Sequence, residues 1–346
     1  MDAVEPVGVI GAGTFGTAMA NLLAYNTDVY VYSRSAELAE RLNRDRFRFG
    51  VPLHDRVTIT NDIAEVAGRC QLLFPIVPSD KFREMMRSIT DHLQPNHVLI
   101  HGTKGLDVTG VPEAEIRSRG IERRHVHTMT DVIRQESVVV RVGALTGPNL
   151  ARELLDGQPS ASVIASKFDE VIDRAKRVLQ SSQLHVFGTH DLLGAELAGV
   201  LKNVIALGSG ILKGVGLGKN IQAMLITRGL VEMVHFGQAL GSDKRAFLGT
   251  AGVGDLIATA TSKKSRNYMF GYRIGSGERL REVAETSQEL AEGVRTLMVT
   301  RHLARSMRLR VPITEMLYQI VFEDYPVAEA MEYLITYPYD VDVDFL

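Results

Sequence analysis

The sequence predicts an α/β protein, a doubly wound and mostly parallel sheet followed by an all-helical domain, and three observations carry that prediction. Short β-branched runs alternate with amphipathic helical stretches through the first half of the 346-residue chain. A glycine-rich turn follows the first of those runs directly and opens a helix. From Asp191 onward the periodicity becomes helical, and almost no β-rich run remains.

Taken in order, the expected strands are Val7–Ile10, Asp28–Ser33, Val57–Thr60, Leu72–Val77, Val98–His101 and Val138–Thr146. Val163–Ala165 and Leu184–Phe187 add two more, and they bracket a helix over about Asp169–Gln180. Phe187-Gly188-Thr189 ends the last strand and Asp191 can cap a helix, so the domain boundary is expected there. Residues 1–189 then form the sheet domain and residues 190–337 the helical one. Residues 338–346, with Asp340, Asp342 and Asp344, read as a loose acidic tail.

An apolar share of 45% with 23% charged residues is that of a globular protein, which excludes disorder and fibrous repeats. The net charge of -2 offers no global attraction to nucleic acid or to an anionic membrane. A single cysteine, Cys70, excludes an internal disulfide and a Cys-based zinc site, and no metal site is expected. The N-terminal residues lack the basic-then-apolar pattern of a signal peptide, so a cytoplasmic location is expected. The longest apolar region, about Leu192–Leu212, is interrupted by Glu196, Lys202 and Asn203, which argues against a membrane span.

Gly11-Ala12-Gly13-Thr14-Phe15-Gly16 is a G-x-G-x-x-G sequence set between a strand and a helix, the context in which it marks a dinucleotide site. Gly11 permits the tight turn, Gly13 lets backbone amides approach a pyrophosphate, and Gly16 lets helix and strand pack closely. The sheet domain is therefore expected to be a Rossmann-type nucleotide domain. A dedicated NAD site commonly has a carboxylate about 20 residues beyond the fingerprint. Here the second strand ends in Ser33-Arg34-Ser35, where an arginine beside two hydroxyls suits a 2′-phosphate, so the sequence leans towards NADP with NAD tolerated. A simply solvated Arg34 is the competing explanation.

In the helical half, Ala198, Gly199 and Ala206 fall within a turn of Lys202 on one face of an expected helix. Side chains that small leave room for a substrate, and a partly desolvated ammonium is suited to acid–base work. A lysine snorkelling from a closely packed helix is the alternative. Asp255 follows the glycine-rich Gly249–Gly254, and Ser265-Arg266-Asn267 combines arginine, hydroxyl and carboxamide in a candidate phosphate or polyol clamp. Lys104 and the turn Gly147-Pro148-Asn149 lie just beyond the carboxyl ends of two strands, the edge where ligands bind in doubly wound sheets.

With these residues in place, the sequence resembles the bacterial NAD(P)-dependent glycerol-3-phosphate dehydrogenases over nearly its whole length. The carrying segments are the Gly11 fingerprint, Val77-Pro78-Ser79, Lys104-Gly105-Leu106, Gly147 to Glu153, Glu196 to Ala206, Thr227 to Leu230, Gly254-Asp255-Leu256 and Ser265-Arg266-Asn267. The resemblance implies reduction of dihydroxyacetone phosphate to sn-glycerol 3-phosphate for phospholipid synthesis. It further implies a helical domain like that of 6-phosphogluconate dehydrogenase, commonly in a homodimer. By similarity Lys202, aided by Lys104 and Asp255, is catalytic, and Lys104, Gly147, Asn149, Lys202, Asp255, Ser265, Arg266 and Asn267 bind substrate. Gly11, Gly13, Thr14, Phe15, Gly16, Arg34, Lys104, Ala151, Arg266, Leu290 and Glu292 line the cofactor by the same similarity. The chain departs from the family at Asn149, where Ser or Thr is more usual, and at Gly249-Thr250-Ala251-Gly252, where a more apolar lead-in is expected.

Two other functions share this architecture. A β-hydroxyacid or sugar-acid dehydrogenase would also use a catalytic lysine but would recognise a carboxylate. A non-catalytic NAD(P)-sensing protein would keep the fold without needing Lys104, Lys202 and Asp255 together.

Overall fold

The computed structural model describes residues 5–287 and 291–336. It divides into two compact units, one formed by Met1–Asp107 and Thr128–Leu192, the other by Val108–His127 and Leu193–Leu346. The division after Leu192 falls three residues beyond the boundary expected from the sequence. The expected continuous domain over 1–189 is interrupted, because Val108–His127 belongs with the helical unit. That excursion is rich in polar residues and short turns, and nothing in its local pattern separates it from an ordinary strand-to-strand connection. The proposed acidic tail at 338–346 lies outside the described residues, as does Leu290.

The first unit is built on eight strands: β1 Val7–Ile10, β2 Val29–Tyr32, β3 Val57–Thr60, β4 Leu72–Pro75, β5 Val98–His101, β6 Arg141–Thr146, β7 Ser160–Ser166 and β8 Leu184–Thr189. Their order across the sheet is β8-β7-β6-β5-β4-β1-β2-β3. All neighbours run parallel except β6 and β7, which pair antiparallel from Gly143↔Ser166 to Thr146↔Val163. The doubly wound sheet predicted from the alternation is present, and all eight expected strands form with small shifts at their ends. β1, β4 and β5 are buried along their whole length, as strands covered by helices on both faces must be. Two apolar clusters fill the faces, one around Val9, Met19 and Phe74, the other around Ile10, Phe82 and Leu99.

Both sheet edges are closed by side chains. At β3, the Asn43 carboxamide donates to the Ile59 carbonyl (2.6 Å) and accepts from the Ile59 N–H (3.0 Å), imitating a further strand. At β8, Gln180 Oε1 accepts from the Val186 N–H at 2.8 Å. Such covers blunt edge-to-edge association of exposed strands.

The described part of the second unit after Leu193 contains helices and no strand. Its central helix, Leu192–Gly214, is long and apolar enough to cross a membrane, but its most apolar stretch is wholly buried within the fold. It runs beside helix Arg266–Gly275 at a distance that only glycine allows. A Cβ on Gly210 would lie 2.0 Å from the Tyr268 carbonyl oxygen, and one on Gly214 would lie 2.2 Å from that of Tyr272. The relation is mutual, since a Cβ on Gly271 would meet the Leu207 oxygen at 1.9 Å and one on Gly275 the Ile211 oxygen at 2.1 Å. Four-residue glycine spacing on both helices lets their backbones touch, and this contact sets the register of the site described next.

Candidate active site

The candidate groups of the first unit are mostly backbone. Gly11 has φ +120°, and a Cβ there would stand 2.2 Å from the Ile76 carbonyl oxygen, so the turn after β1 requires glycine. A Cβ on Gly16 would meet the Gly11 oxygen at 1.9 Å, which explains how helix Thr14–Leu23 starts so close to the strand. Gly13 is different: nothing lies within 4 Å of where its Cβ would be. It is the N-cap of this helix in extended conformation, with no side chain satisfying the first-turn amides. An open glycine before unpartnered helix N–H groups is what a pyrophosphate needs, so these residues fit a dinucleotide.

Ser33-Arg34-Ser35 follows β2 as expected, but the three side chains have separate tasks. Ser33 is buried, Ser35 is exposed but caps helix Ala36–Asp45 by accepting from the Leu38 N–H at 3.0 Å, and Arg34 is exposed. A second arginine, which the sequence did not single out, touches the glycine loop: Arg48 donates through Nε to the Ala12 carbonyl at 2.9 Å. It comes from a two-stranded ribbon, Phe47–Arg48 with Val51–Pro52, too short to be recognised from sequence.

At the carboxyl ends of β5 and β6, Lys104 Nζ donates to the Gly147 carbonyl at 2.8 Å, so the two segments singled out there do come together. Gly147 has φ +108°. The Asn149 carboxamide is committed to the protein, donating to the Thr146 carbonyl (3.2 Å) and accepting from the Ser162 hydroxyl (2.8 Å). Ala151 opens the short helix Ala151–Leu155.

The second unit has its own cluster of buried side chains. Lys202 is 5% exposed and Asp255 1%, and Lys202 Nζ lies 2.5 Å from Asp255 Oδ1. Lys202 also donates to the Thr259 hydroxyl, which itself reaches Asp255 Oδ1 at 3.3 Å. Thr259 was missed in the sequence, although it stands four residues after Asp255 on the same helix, Asp255–Thr261, where i and i+4 share a face. Lys202 is thus held against helix Asp255–Thr261, with Ala198 and Ala206 fully buried on its own helix. The glycine-rich lead-in is a π turn, Thr250–Gly254, a widened geometry frequent at functional sites. A Cβ on Gly252 would overlap the Phe247 carbonyl oxygen at 2.0 Å, which accounts for glycine in that turn.

Ser265, Arg266 and Asn267 divide similarly. Ser265 is the N-cap of helix Arg266–Gly275 and accepts from the Tyr268 N–H at 3.3 Å. Asn267 donates to Asn203 Oδ1 (2.8 Å) and accepts from the Gly293 N–H (2.8 Å). It thereby ties the Lys202 helix to the start of helix Glu292–Ser306, where Glu292 sits half-buried. Arg266 is exposed, and beside it lies the positive end of a ten-residue helix. Cys70 lies far from this chemistry in character: burial pushes its thiol up to about 12, which excludes it as a nucleophile near neutral pH.

Sequence comparison decides between the readings. Residues 6–172 match the NAD-dependent glycerol-3-phosphate dehydrogenase N-terminus and residues 191–332 match its C-terminus. This chain belongs to the NAD-dependent glycerol-3-phosphate dehydrogenase family. A glycerol-3-phosphate dehydrogenase [NAD(P)+] of Saccharophagus degradans is 35% identical, covering 99% of this chain and 93% of its own. That of Azotobacter vinelandii is 38% identical, covering 100% and 98%. Among solved structures, the glycerol-3-phosphate dehydrogenase of Coxiella burnetii superposes with a TM-score of 0.84 at 26% identity, covering 96% of this chain and 99% of that one. The Plasmodium falciparum glycerol-3-phosphate dehydrogenase, at 20% identity and TM-score 0.85 over 98% of both chains, has the same fold. As a member of this glycerol-3-phosphate dehydrogenase family the chain is an NAD(P)-dependent oxidoreductase.

Proposed function

We propose that Lys202, oriented by Asp255 and Thr259, is the proton donor in the reduction of dihydroxyacetone phosphate to sn-glycerol 3-phosphate. The reaction itself is that of the family. The observation that carries the assignment is a buried ammonium 2.5 Å from a buried carboxylate, on the helix that neighbours the arginine-bearing helix N-terminus. NAD(P)H, when bound, supplies the hydride. Thr14, Phe15 and Gly16 offer the first-turn amides to its pyrophosphate at the Gly13 opening, with Gly11 shaping the turn. Arg34 takes a 2′-phosphate, which gives NADP the preference, and Ala151 and Glu292 are assigned to the cofactor by the family resemblance.

Lys202 gives its proton to the carbonyl oxygen as negative charge develops there, and in the reverse direction it receives the proton from the alcohol. Asp255 and Thr259 keep the ammonium aimed. Lys104, held at the strand ends by the Gly147 carbonyl, is assigned electrostatic stabilisation of the substrate by the family resemblance. Arg266, with the amides of its helix N-terminus, fixes the substrate phosphate away from the reacting carbon. The committed side chains of Ser265, Asn267 and Asn149 act by holding this frame. The same reading has the enzyme working in the cytoplasm as a homodimer that feeds glycerophospholipid synthesis, and a monomer mass by light scattering would contradict the dimer.

The test is loss of NADPH and NADH absorbance on adding dihydroxyacetone phosphate, with a 2-keto acid and a keto-sugar acid for comparison. Turnover confined to the phosphorylated ketone is the expected result. Turnover only with a carboxylate substrate would overturn the phosphate role of Arg266.

A further inference from the structure

The three helices that carry Lys202, Asp255 and Arg266 share one buried polar junction that the chemistry above does not use. It centres on Gln222, which is 4% exposed and projects from a fourth helix, Lys219–Ala239. Its Nε2 donates to the Ser209 hydroxyl at 2.7 Å and lies 3.4 Å from the Ala260 carbonyl. Ser209, fully buried, donates in turn to the same Ala260 oxygen at 2.5 Å. Gln222 also hydrogen-bonds the Tyr268 hydroxyl. Lys219 Nζ donates to its Oε1 at 2.9 Å, which fixes the orientation of the amide.

Each partner belongs to a different part of the site. Ser209 stands seven residues after Lys202 on helix Leu192–Gly214, two turns along the same face. Ala260 lies in the last turn of helix Asp255–Thr261, where carbonyls have no partner within the helix. Tyr268 is in the first turn of helix Arg266–Gly275. The short helix bearing Asp255 and Thr259 is therefore clipped to the Lys202 helix twice, through the ammonium at one end and through Ser209 and Gln222 at the other.

We propose that Gln222, acting with Ser209, is a positioning residue that holds the short Asp255 helix in register with the Lys202 helix and so sets the geometry of proton transfer. The proposal rests on Lys202 being the proton donor. A seven-residue helix following a π turn has little of its own to fix its axial position. The Ala260 carbonyl is where the junction grips it. Displacement of about 1 Å in a catalytic frame is enough to lower turnover roughly a hundredfold.

Gln222→Met keeps the length of the side chain and removes the amide, and Ser209→Ala removes the second donor with little change in volume. Both are assayed with dihydroxyacetone phosphate and NADPH in water and in deuterium oxide, after circular dichroism establishes folding. The expected result is a fall in kcat of about tenfold or more, an unchanged KM for NADPH, and a larger solvent isotope effect on kcat as proton transfer becomes more limiting. If Gln222→Met does not fold, Ser209→Ala carries the test alone. Folded variants with kcat within twofold of the parent would overturn the proposal. So would a fall in kcat matched by a rise in KM for NADPH with no change in the isotope effect, the signature of general loosening. Lys202→Ala runs alongside: if it keeps turnover, the proton-donor reading itself fails, whereas its inactivity beside fully active Gln222→Met and Ser209→Ala isolates the failure to the junction.

Discussion

The Gly11 loop and the Lys202 cluster meet opposite requirements. The loop works through the absence of side chains: two glycines are forced by carbonyls about 2 Å from where a Cβ would be, and a third is open so that a ligand can approach. Everything it needs lies within six consecutive residues. The Lys202 cluster works through side chains that are almost wholly buried, drawn from segments more than fifty residues apart. A backbone cradle tolerates solvent, whereas a buried ammonium is tolerable only with its carboxylate and hydroxyl in place. The lesson is that the glycine loop is encoded locally and the buried Lys202 cluster is encoded in packing.

The largest expected effect falls on the packed half. Lys202→Ala should lower kcat by about 10² to 10⁴ while leaving NADPH affinity, read by fluorescence titration, near that of the parent. Equal losses in both quantities would break the division of labour.

A second effect concerns how the helical unit keeps charge inside. Glu232 caps helix Pro312–Phe322, accepting from the Ile313 N–H, the Thr314 N–H (3.0 Å) and the Thr314 hydroxyl (2.9 Å). Burial, only partly offset by those bonds, pushes its carboxyl up from 4.5 to about 7. The folded state therefore holds a proton that the unfolded chain has lost between those values. Stability from this group is complete below 4.5 and falls as pH rises to about 7, by about 3 kcal/mol in all. His302 acts in the other direction: burial, with Arg301 and Arg305 nearby, pushes it down from 6.5 to about 4, so its contribution is complete above 6.5 and is lost on acidification. The two slopes cancel between about 4.5 and 6.5. Denaturant titrations of Glu232→Gln should expose the uncompensated histidine, with stability rising over that range, and a flat profile would contradict the assignment.

Smaller effects sharpen the contrast within the loop. Gly16→Ala must displace the Gly11 carbonyl and should cost about 1 to 3 kcal/mol of stability along with cofactor affinity. Gly13→Ala meets no neighbour, so its melting temperature should stay within a few degrees of the parent while NADPH binding weakens. Equal destabilisation by the two would undo the distinction between forced and open glycines. Arg34→Ala should raise KM for NADPH by about tenfold, the loss of one exposed charge-assisted contact, and leave KM for NADH unchanged. Equal effects on both cofactors would remove the basis for an NADP preference.

Much of this arrangement was legible before any fold was known. The eight strands appear where β-branched runs predicted them, because period-2 or continuous apolar patterning is a local property. The Gly11 fingerprint was legible for the same reason. The excursion Val108–His127 was not, since membership of a unit depends on partners such as Glu113 with Arg295, 182 residues away. Thr259, Gln222 and Ser209 were missed because single polar residues in apolar helices have no periodic signal. The paired glycines at 210 and 214 and at 271 and 275 were visible, and their four-residue spacing could have indicated a close helix contact.

By itself, then, the sequence determined the class of fold, the nucleotide loop and the polar segments from which the active site is drawn, because local sterics and patterning act over one turn or one strand. Only the tertiary structure decided what those segments do. It spends the hydroxyl of Ser265 and the carboxamides of Asn149 and Asn267 on the frame, leaves Arg266 exposed, and sets Lys202 against Asp255 and Thr259. The physical reason is that a buried polar group must find its partners wherever packing brings them, and packing between helices is set by contacts that no local stretch of sequence contains.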